Sequence, residues 1–342
     1  MEKILSIIIP TYNLQDYIGP CVNSLIVSSA YMQYLEILII NDGSKDESSK
    51  IAHGLECKYP FSIKVIDKEN GNYGSCINRG LKEAKGKYIR ILDADDTYDT
   101  KNLESFLSFL LKTDADMIIS NYCIVQNSNK RLVSYELPSK KVMFEEVLLN
   151  KYALSNLAMH SVTYKTSILH EINYRQTEGI SYTDQEWICF PLINVNSYAY
   201  FNEVIYYYNL SREGQTCDPQ VLHKMMGHNI EGIKSSILFF KELTIVQSFK
   251  MSRALQKLMQ RIRDIYHTYL IEYHSLNITE LKQLDLWLEE NDIDIYVLLN
   301  DLKIKWINYP YVKKWRDKKY KKPFLLDGIH VLYKIINGKN VF

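Results

Sequence analysis

Short, mostly apolar runs recur through the first hundred residues, the first of them without a polar face, and each is followed by residues that fit a turn and then a helix. The runs fall at Leu5-Ser6-Ile7-Ile8-Ile9 and at residues 35–40, 62–66 and 88–92. Runs of this length and character read as strands covered on both faces, as in a parallel sheet. Ile18, Val22, Leu25 and Ile26 follow the first run at helical spacing, and Ile77, Leu81 and Ala84 follow the third. Ser44 and Glu47 fit a capping box, so a helix is expected from there toward Lys58. A fifth strand is expected at 116–120, after a helix over 103–111. Strands alternating with helices predict an open, mostly parallel α/β sheet. Ligands of such sheets bind beyond the carboxyl ends of the strands, near the topological switch point.

Three polar clusters occupy those ends: residues 10–13, 41–44 and 93–96. In the last, Tyr88-Ile89-Arg90-Ile91-Leu92 runs directly into Asp93, Asp95 and Asp96. Clustered carboxylates at the end of a buried strand repel one another unless a cation sits among them. Acids one residue apart suit a hard divalent ion such as Mg²⁺ or Mn²⁺, which in turn grips a diphosphate. Any one cluster alone is explained by the turn preference of Asp, Asn and Gly; three at one edge point to a nucleotide site.

The segments Ser6-Ile7-Ile8-Ile9-Pro10-Thr11-Tyr12-Asn13, Ile39-Ile40-Asn41-Asp42-Gly43-Ser44, Asn78-Arg79-Gly80-Leu81 and Leu92-Asp93-Ala94-Asp95-Asp96 resemble the family-2 glycosyltransferases in order and spacing. The resemblance covers roughly residues 3–125. It implies a GT-A fold with a Rossmann-like nucleotide-binding half, and inverting transfer of a sugar from a nucleotide-sugar donor, a UDP-sugar by expectation, with Mn or Mg. Carried over by position, Pro10 and Tyr12 frame the uracil and Asp42 accepts a hydrogen bond from it. Asp93 lies near the ribose and the metal, Asp95 ligates the metal, and Asn78 supports the donor. Ordinary packing for Tyr12 and a turn role for Asp42 stay open beside these roles. Ile77 stands where the family often has Arg, and Asp96 reads as a helix-entry residue. A degenerate binding module and a nucleotidyltransferase are the alternatives; the second would need cations in the first loop, and residues 10–13 offer none.

Farther along, Gly179-Ile180-Ser181-Tyr182-Thr183-Asp184-Gln185-Glu186-Trp187 resembles the family's acidic motif at the start of an acceptor-side helix. The matching base is Asp184, with Glu186 as a competitor and helix capping as the plain role. Trp187 is either an acceptor-side stacking wall or a core anchor. His160 is assigned no role, and Arg212 is read as a solvated charge.

Residues 1–215 are expected to form the catalytic domain, with a nucleotide-sugar half at 1–125 and an acceptor half at 126–215. A helical C-terminal region follows at 216–342, marked by Ile230, Ile233, Ile237 and Leu238, by Leu255, Leu258, Ile262, Ile265 and Tyr269, and by Leu281, Leu284 and Leu288. The six cysteines contain no Cys-x-x-Cys pair, which fits reduced thiols. Met1-Glu2-Lys3 leads straight into a strand and no run spans a bilayer, so a cytoplasmic place without a signal peptide is expected. The acceptor is expected to be a glycan or a lipid-linked sugar of a surface polysaccharide, with no nucleic-acid partner. The formal net charge of +1 hides a basic stretch, residues 313–322, ahead of an apolar segment. Residues 313–336 are therefore a candidate for peripheral binding to an anionic membrane, against the plainer reading of a solvated linker.

Overall fold

The computed structural model describes residues 2–127, 129–138, 142–143, 157–210, 212, 215, 219–243, 249–272 and 276–337; for 142–143, 219, 249–253 and 333–337 it describes backbone only. The chain forms two compact units. The first holds Met1–Val221 with Gln247–Ala254, the second Leu222–Val246 with Leu255–Phe342. The sequence had suggested a division at 215/216.

In the first unit, β1 (Leu5–Thr11), α1 (Gln15–Asn23), α2 (Ser29–Met32), β2 (Leu35–Asn41), α3 (Ser48–Lys58), β3 (Ile63–Asp67), α4 (Asn72–Glu83) and β4 (Tyr88–Ile91) alternate as expected. Then come β5 (Thr97–Tyr98), α5 (Thr100–Lys112), β6 (Met117–Gln126), β7 (Asn129–Val133), β8 (Val142–Met143), β9 (Val162–Lys165), α6 (Thr166–Glu171), α7 (Asp184–Cys189) and β10 (Ser197–Asn209). The sheet order is β3-β2-β1-β4-β9-β6-β10-β5, with β7 on β6 and β8 on β10. Pairing is parallel along β3-β2-β1-β4 and between β6 and β10. Strand β9 lies antiparallel between β4 and β6, so those two also share a direction.

Every residue of β1, β2 and β4 is buried, which is why their sequences are mostly apolar. Register pairs Pro10 with Ile40 and Thr11 with Asn41, so the first two polar clusters leave the sheet side by side. Strand β4, paired with β1 on its other side, brings the acids to the same edge. Two glycines of α4 allow close approach: a Cβ at Gly80 would meet the Ile8 side chain at 2.5 Å, and one at Gly74 would meet the Thr177 carbonyl oxygen at 2.0 Å. Helix α3 begins four residues later than the expected cap. Ser44 is spent elsewhere, its hydroxyl accepting the Asn13 N–H at 3.0 Å across the mouth of the crevice.

The second unit is helical: it begins at Leu222 within α8 (Pro219–Lys224), takes in α9 (Met226–Glu242), resumes at Leu255 within α10 (Phe249–His267), and continues through α11 (Ile278–Asn291), α12 (Ile293–Leu298), a hairpin of β11 (Lys303–Ile304) and β12 (Tyr309–Pro310), α13 (Tyr311–Asp317) and α14 (Phe324–Asn337). Of the expected core positions, Ile230, Ile233, Ile237, Leu258, Ile262, Leu281, Leu284 and Leu288 are buried, whereas Leu238 is exposed. This unit has a buried ion pair: Arg316 Nη2 sits 2.6 Å from Asp285 Oδ1, and the Tyr266 hydroxyl donates to the same oxygen at 2.5 Å. Among the described residues, no helix is long and apolar enough to cross a membrane.

Candidate active site

The carboxyl ends of β1, β2 and β4 open into a crevice of about 260 Å³ lined by Pro10, Tyr12, Asp42, Tyr73, Asp93, Asp95 and Arg212 among others. Pro10, Tyr12, Asp42, Asp93 and Asp95 thus line one crevice. Tyr12 is 48% exposed, leaving a ring face open at the rim. Asp42 is buried. Its Oδ1 accepts from Lys68 Nζ at 2.5 Å and from the Gly71 N–H at 3.0 Å, and the Cys76 thiol also hydrogen-bonds to its carboxylate.

The acids after β4 divide by environment. Asp96 has both oxygens engaged, by the Tyr206 hydroxyl and the Asn209 N–H, each at 2.6 Å. It is a structural strut between β4 and the end of β10. Asp93 Oδ1 accepts from the Tyr73 hydroxyl at 2.7 Å. Burial first, then the Asp95 charge, pushes the Asp93 carboxyl up to about 7. Asp95 Oδ2 accepts from Arg212 Nε at 2.8 Å and from Gln215 Nε2 at 3.1 Å. Arg212 is therefore a crevice residue, reached through a contact that spans 117 positions of sequence and leaves no local signal.

His160 also comes to this place. One ligand atom each of Asp93, Asp96 and His160 lie within 4.8 Å of one another. His160 Nδ1 is buried without a hydrogen-bond partner. The ring stacks on Tyr208 at 4.1 Å between centroids, and burial, followed by the Arg90 charge, pushes it down to about 3. A neutral imidazole with an orphan nitrogen, beside two acids that strain to be ionised together, is a donor set suited to a divalent cation. The three that lie together are Asp93, Asp96 and His160; Asp95 is not among them, and both Asp96 oxygens are already engaged within the protein.

The acceptor-side motif is anchored to α4. Asn78 Nδ2 donates to the Gln176 carbonyl at 2.9 Å and to Glu178 Oε1 at 2.8 Å, while its Oδ1 accepts the Gln176 N–H at 2.8 Å. All its capacity is consumed, and it does not line the crevice. Asn78 is a strut for the 176–178 segment, which corrects its expected place on the donor. Arg79 pairs with Glu83 on the outer face of α4. Glu186 is fully buried and accepts from the Thr177 N–H and hydroxyl, both at 2.7 Å, which removes it as a competing base. Trp187 is fully buried too, edge-on to Tyr164 at 5.1 Å and to Tyr174 at 5.6 Å. It anchors α7 in the core and is no acceptor wall.

Gly179 and Tyr182 take left-handed φ of 79° and 65°, turning the chain into α7. Ser181, between them, lines the crevice. Asp184, the first residue of α7, is half-buried, and its charge adds to the upward push on Asp93 and Tyr73, in both of which burial is the larger cause. Thr183 is the N-cap, without a side-chain cap bond, so the Asp184 carboxylate is not consumed by capping.

Residues 6–172 match the family model described as Glycosyl transferase family 2. That segment is just under half of the chain, and over it the chain is similar to glycosyltransferase family 2. The chain is 31% identical over 207 residues to an uncharacterized glycosyltransferase of Rickettsia prowazekii, across 60% of this chain and 63% of that one. It is 27% identical over 278 residues to the uncharacterized glycosyltransferase YibD of Escherichia coli, across 79% and 75% of the two chains. It is 26% identical over 211 residues to the poly(ribitol-phosphate) beta-N-acetylglucosaminyltransferase TarS of Staphylococcus aureus, across 61% of this chain and 36% of TarS. The chain thus spans less than two thirds of the Rickettsia relative and of TarS. Among solved structures, TarS residues 1–349 in complex with UDP-GlcNAc superimposes with a TM-score of 0.69 at 18% identity, covering 98% of this chain and 92% of that one. The shared fold is GT-A.

Proposed function

We propose that the protein is an inverting, metal-dependent glycosyltransferase that moves a sugar from a UDP-sugar to a hydroxyl of a glycan or lipid-linked acceptor, on the cytoplasmic side of a surface-polysaccharide pathway. The observation that carries this is the convergence of Pro10, Tyr12, Asp42, Asp93, Asp95 and Arg212 in one crevice at the strand ends. Asp42 is the carboxylate there that would accept a base N–H, and uracil N3–H supplies such a donor. Tyr12 offers its ring face to the base and Pro10 closes the side.

Asp95, the ligand that the family resemblance implies, and Asp93 would hold the divalent cation, with His160 on the Asp93 side, and the cation would offset charge on the departing diphosphate. Arg212 is placed to meet the same phosphates. Asp184 serves as base: it takes the proton of the acceptor hydroxyl as that oxygen bonds to the anomeric carbon and the bond to UDP breaks on the opposite face. The GlcNAc donor in the TarS complex favours an N-acetylhexosamine or hexose as the transferred sugar. The first loop's lack of cations and the family match speak against a nucleotidyltransferase. A degenerate binding module has no use for a half-exposed Asp184 beside the acids. The test is hydrolysis of a panel of nucleotide sugars with and without Mn²⁺. Metal-dependent release of UDP is the expected result; release of another nucleotide, or none from any donor, overturns the reading.

A further inference from the structure

Helix α14 turns an unbroken apolar stripe to solvent. Phe324 is 85% exposed, Leu325 47%, Val331 55% and Leu332 45%, and exposed Gly328 completes the set. These positions follow the i, i+1, i+4, i+7, i+8 spacing of a single helix face. The other face holds Leu326, Ile329 and His330, all buried, with His330 Nδ1 2.7 Å from the Ile271 carbonyl oxygen. The helix is thus docked by one apolar side and presents a second. On a surface helix that outer face ordinarily carries polar residues, and here its described positions are apolar, with half-buried Asp327 at the edge.

Exposed cations precede this stripe in sequence. Lys303, Lys305, Lys313, Lys314, Lys318, Lys319 and Lys321 are exposed, against one exposed acid, Asp317, over the same stretch. Arg316 is withdrawn into its ion pair with Asp285, and Lys322 is half-buried. The turn that presents Lys318 to Lys321 is held in a costly shape, with left-handed φ at Lys319 (52°) and Tyr320 (64°). Buried Trp315 fixes it: its Nε1 donates to the Tyr320 carbonyl, its carbonyl accepts the Tyr320 N–H, both at 3.0 Å, and the two rings meet edge-on. Ahead of α13, the tip of the β11-β12 hairpin exposes Trp306 (66%) and Ile307 (38%) beside Lys305.

We propose that this surface of the helical unit docks on a bilayer containing anionic lipids. Charge selects the occupant: the lysines of a second copy would be repelled by these, whereas anionic headgroups complement them. Lysine beside tryptophan and an apolar helix face is the pattern that settles at a lipid–water boundary. The usefulness of such docking rests on the lipid-linked acceptor proposed above; the docking itself does not.

The experiment is flotation of the full chain with vesicles of phosphatidylcholine alone and of phosphatidylcholine mixed with phosphatidylglycerol. The protein should float with the mixed vesicles only and be released by salt. Lys313→Glu with Lys314→Glu and Lys318→Glu should lower flotation about tenfold or more, and so should Phe324→Ser with Leu325→Ser and Leu332→Ser. Circular dichroism and UDP binding should match wild type in both. Asp95→Asn should float like wild type, so a protein that floats but binds no UDP-sugar keeps this inference and loses only the enzymatic one. Flotation indifferent to lipid charge, or kept by both multiple variants, overturns the proposal. A wild-type dimer that the serine variant dissolves overturns it in favour of a second copy.

Discussion

Asp184 and Glu186 lie two residues apart on one short helix, yet their surroundings assign them opposite tasks. Glu186 is enclosed with both oxygens engaged by Thr177, while Asp184 is half-open with its charge felt at Asp93. Asp184→Asn should lower turnover by about 10² to 10⁴-fold while UDP binding, measured by calorimetry, stays near wild type. Glu186→Gln should instead lower the melting temperature, because an amide replaces a buried charged acceptor at a cost of about 1–3 kcal/mol. Reversal of the two phenotypes would reassign the base. At the metal site, Asp95→Asn and His160→Ala should each weaken Mn²⁺ binding, read by electron paramagnetic resonance without any donor present; unchanged Mn²⁺ affinity in His160→Ala would remove it from the set. The acids and Asp42 were legible in the sequence because each sits in a local motif at a strand end. His160, Tyr73 and Lys68 were not, since their roles arise from where the sheet carries them.

At the scale of elements, α4 is the link between the two halves of the crevice. Its N-terminal turn supplies Gly71 and Tyr73 to the donor side, and Gly74 and Asn78 lie against residues 176–177. Gly74→Ala would set a methyl into the Thr177 carbonyl and must push that segment away. The expected outcome is a loss of about 1–3 kcal/mol in stability and a larger fall in turnover than in UDP affinity, since the displaced segment leads to Asp184. Equal falls in both would contradict it. The alternation of strands with helices was readable because β1, β2 and β4, buried on both faces, leave a mostly apolar signature. Trp187 misled for a related reason: an aromatic beside an acid has the same sequence signature whether it faces a sugar or the core, and only Tyr164 and Tyr174 settle which. Between α3 and β3, His53 bonds Asp67 and Glu56, and the Asp67 contact, followed by Glu56, raises its pKa. A raised folded value means that the stabilisation is present below the unfolded pKa near 6.5 and is lost as pH rises through the folded one. With the ring 45% exposed the effect should be only about 0.5 kcal/mol, seen as a slight fall in melting temperature with rising pH that His53→Gln flattens.

For the molecule as a whole, the second unit has its own charged centre in Asp285 and Arg316. Arg316→Met should leave Asp285 buried and unpaired, destabilising that unit by about 3–5 kcal/mol. Scanning calorimetry should show a transition moved down or split off, with UDP binding retained by the first unit. The helical character of this unit was legible from spacing alone; its internal ion pair was not, because Arg316 sits in a run of lysines that gives no hint of which cation turns inward. That run has one more consequence. A formal net charge of +1 says that the protein should scarcely drift in an electric field, yet seven exposed lysines between Lys303 and Lys321 give it a pole. On a cation-exchange column at neutral pH it should be retained well beyond what its overall charge allows, always held by the same end.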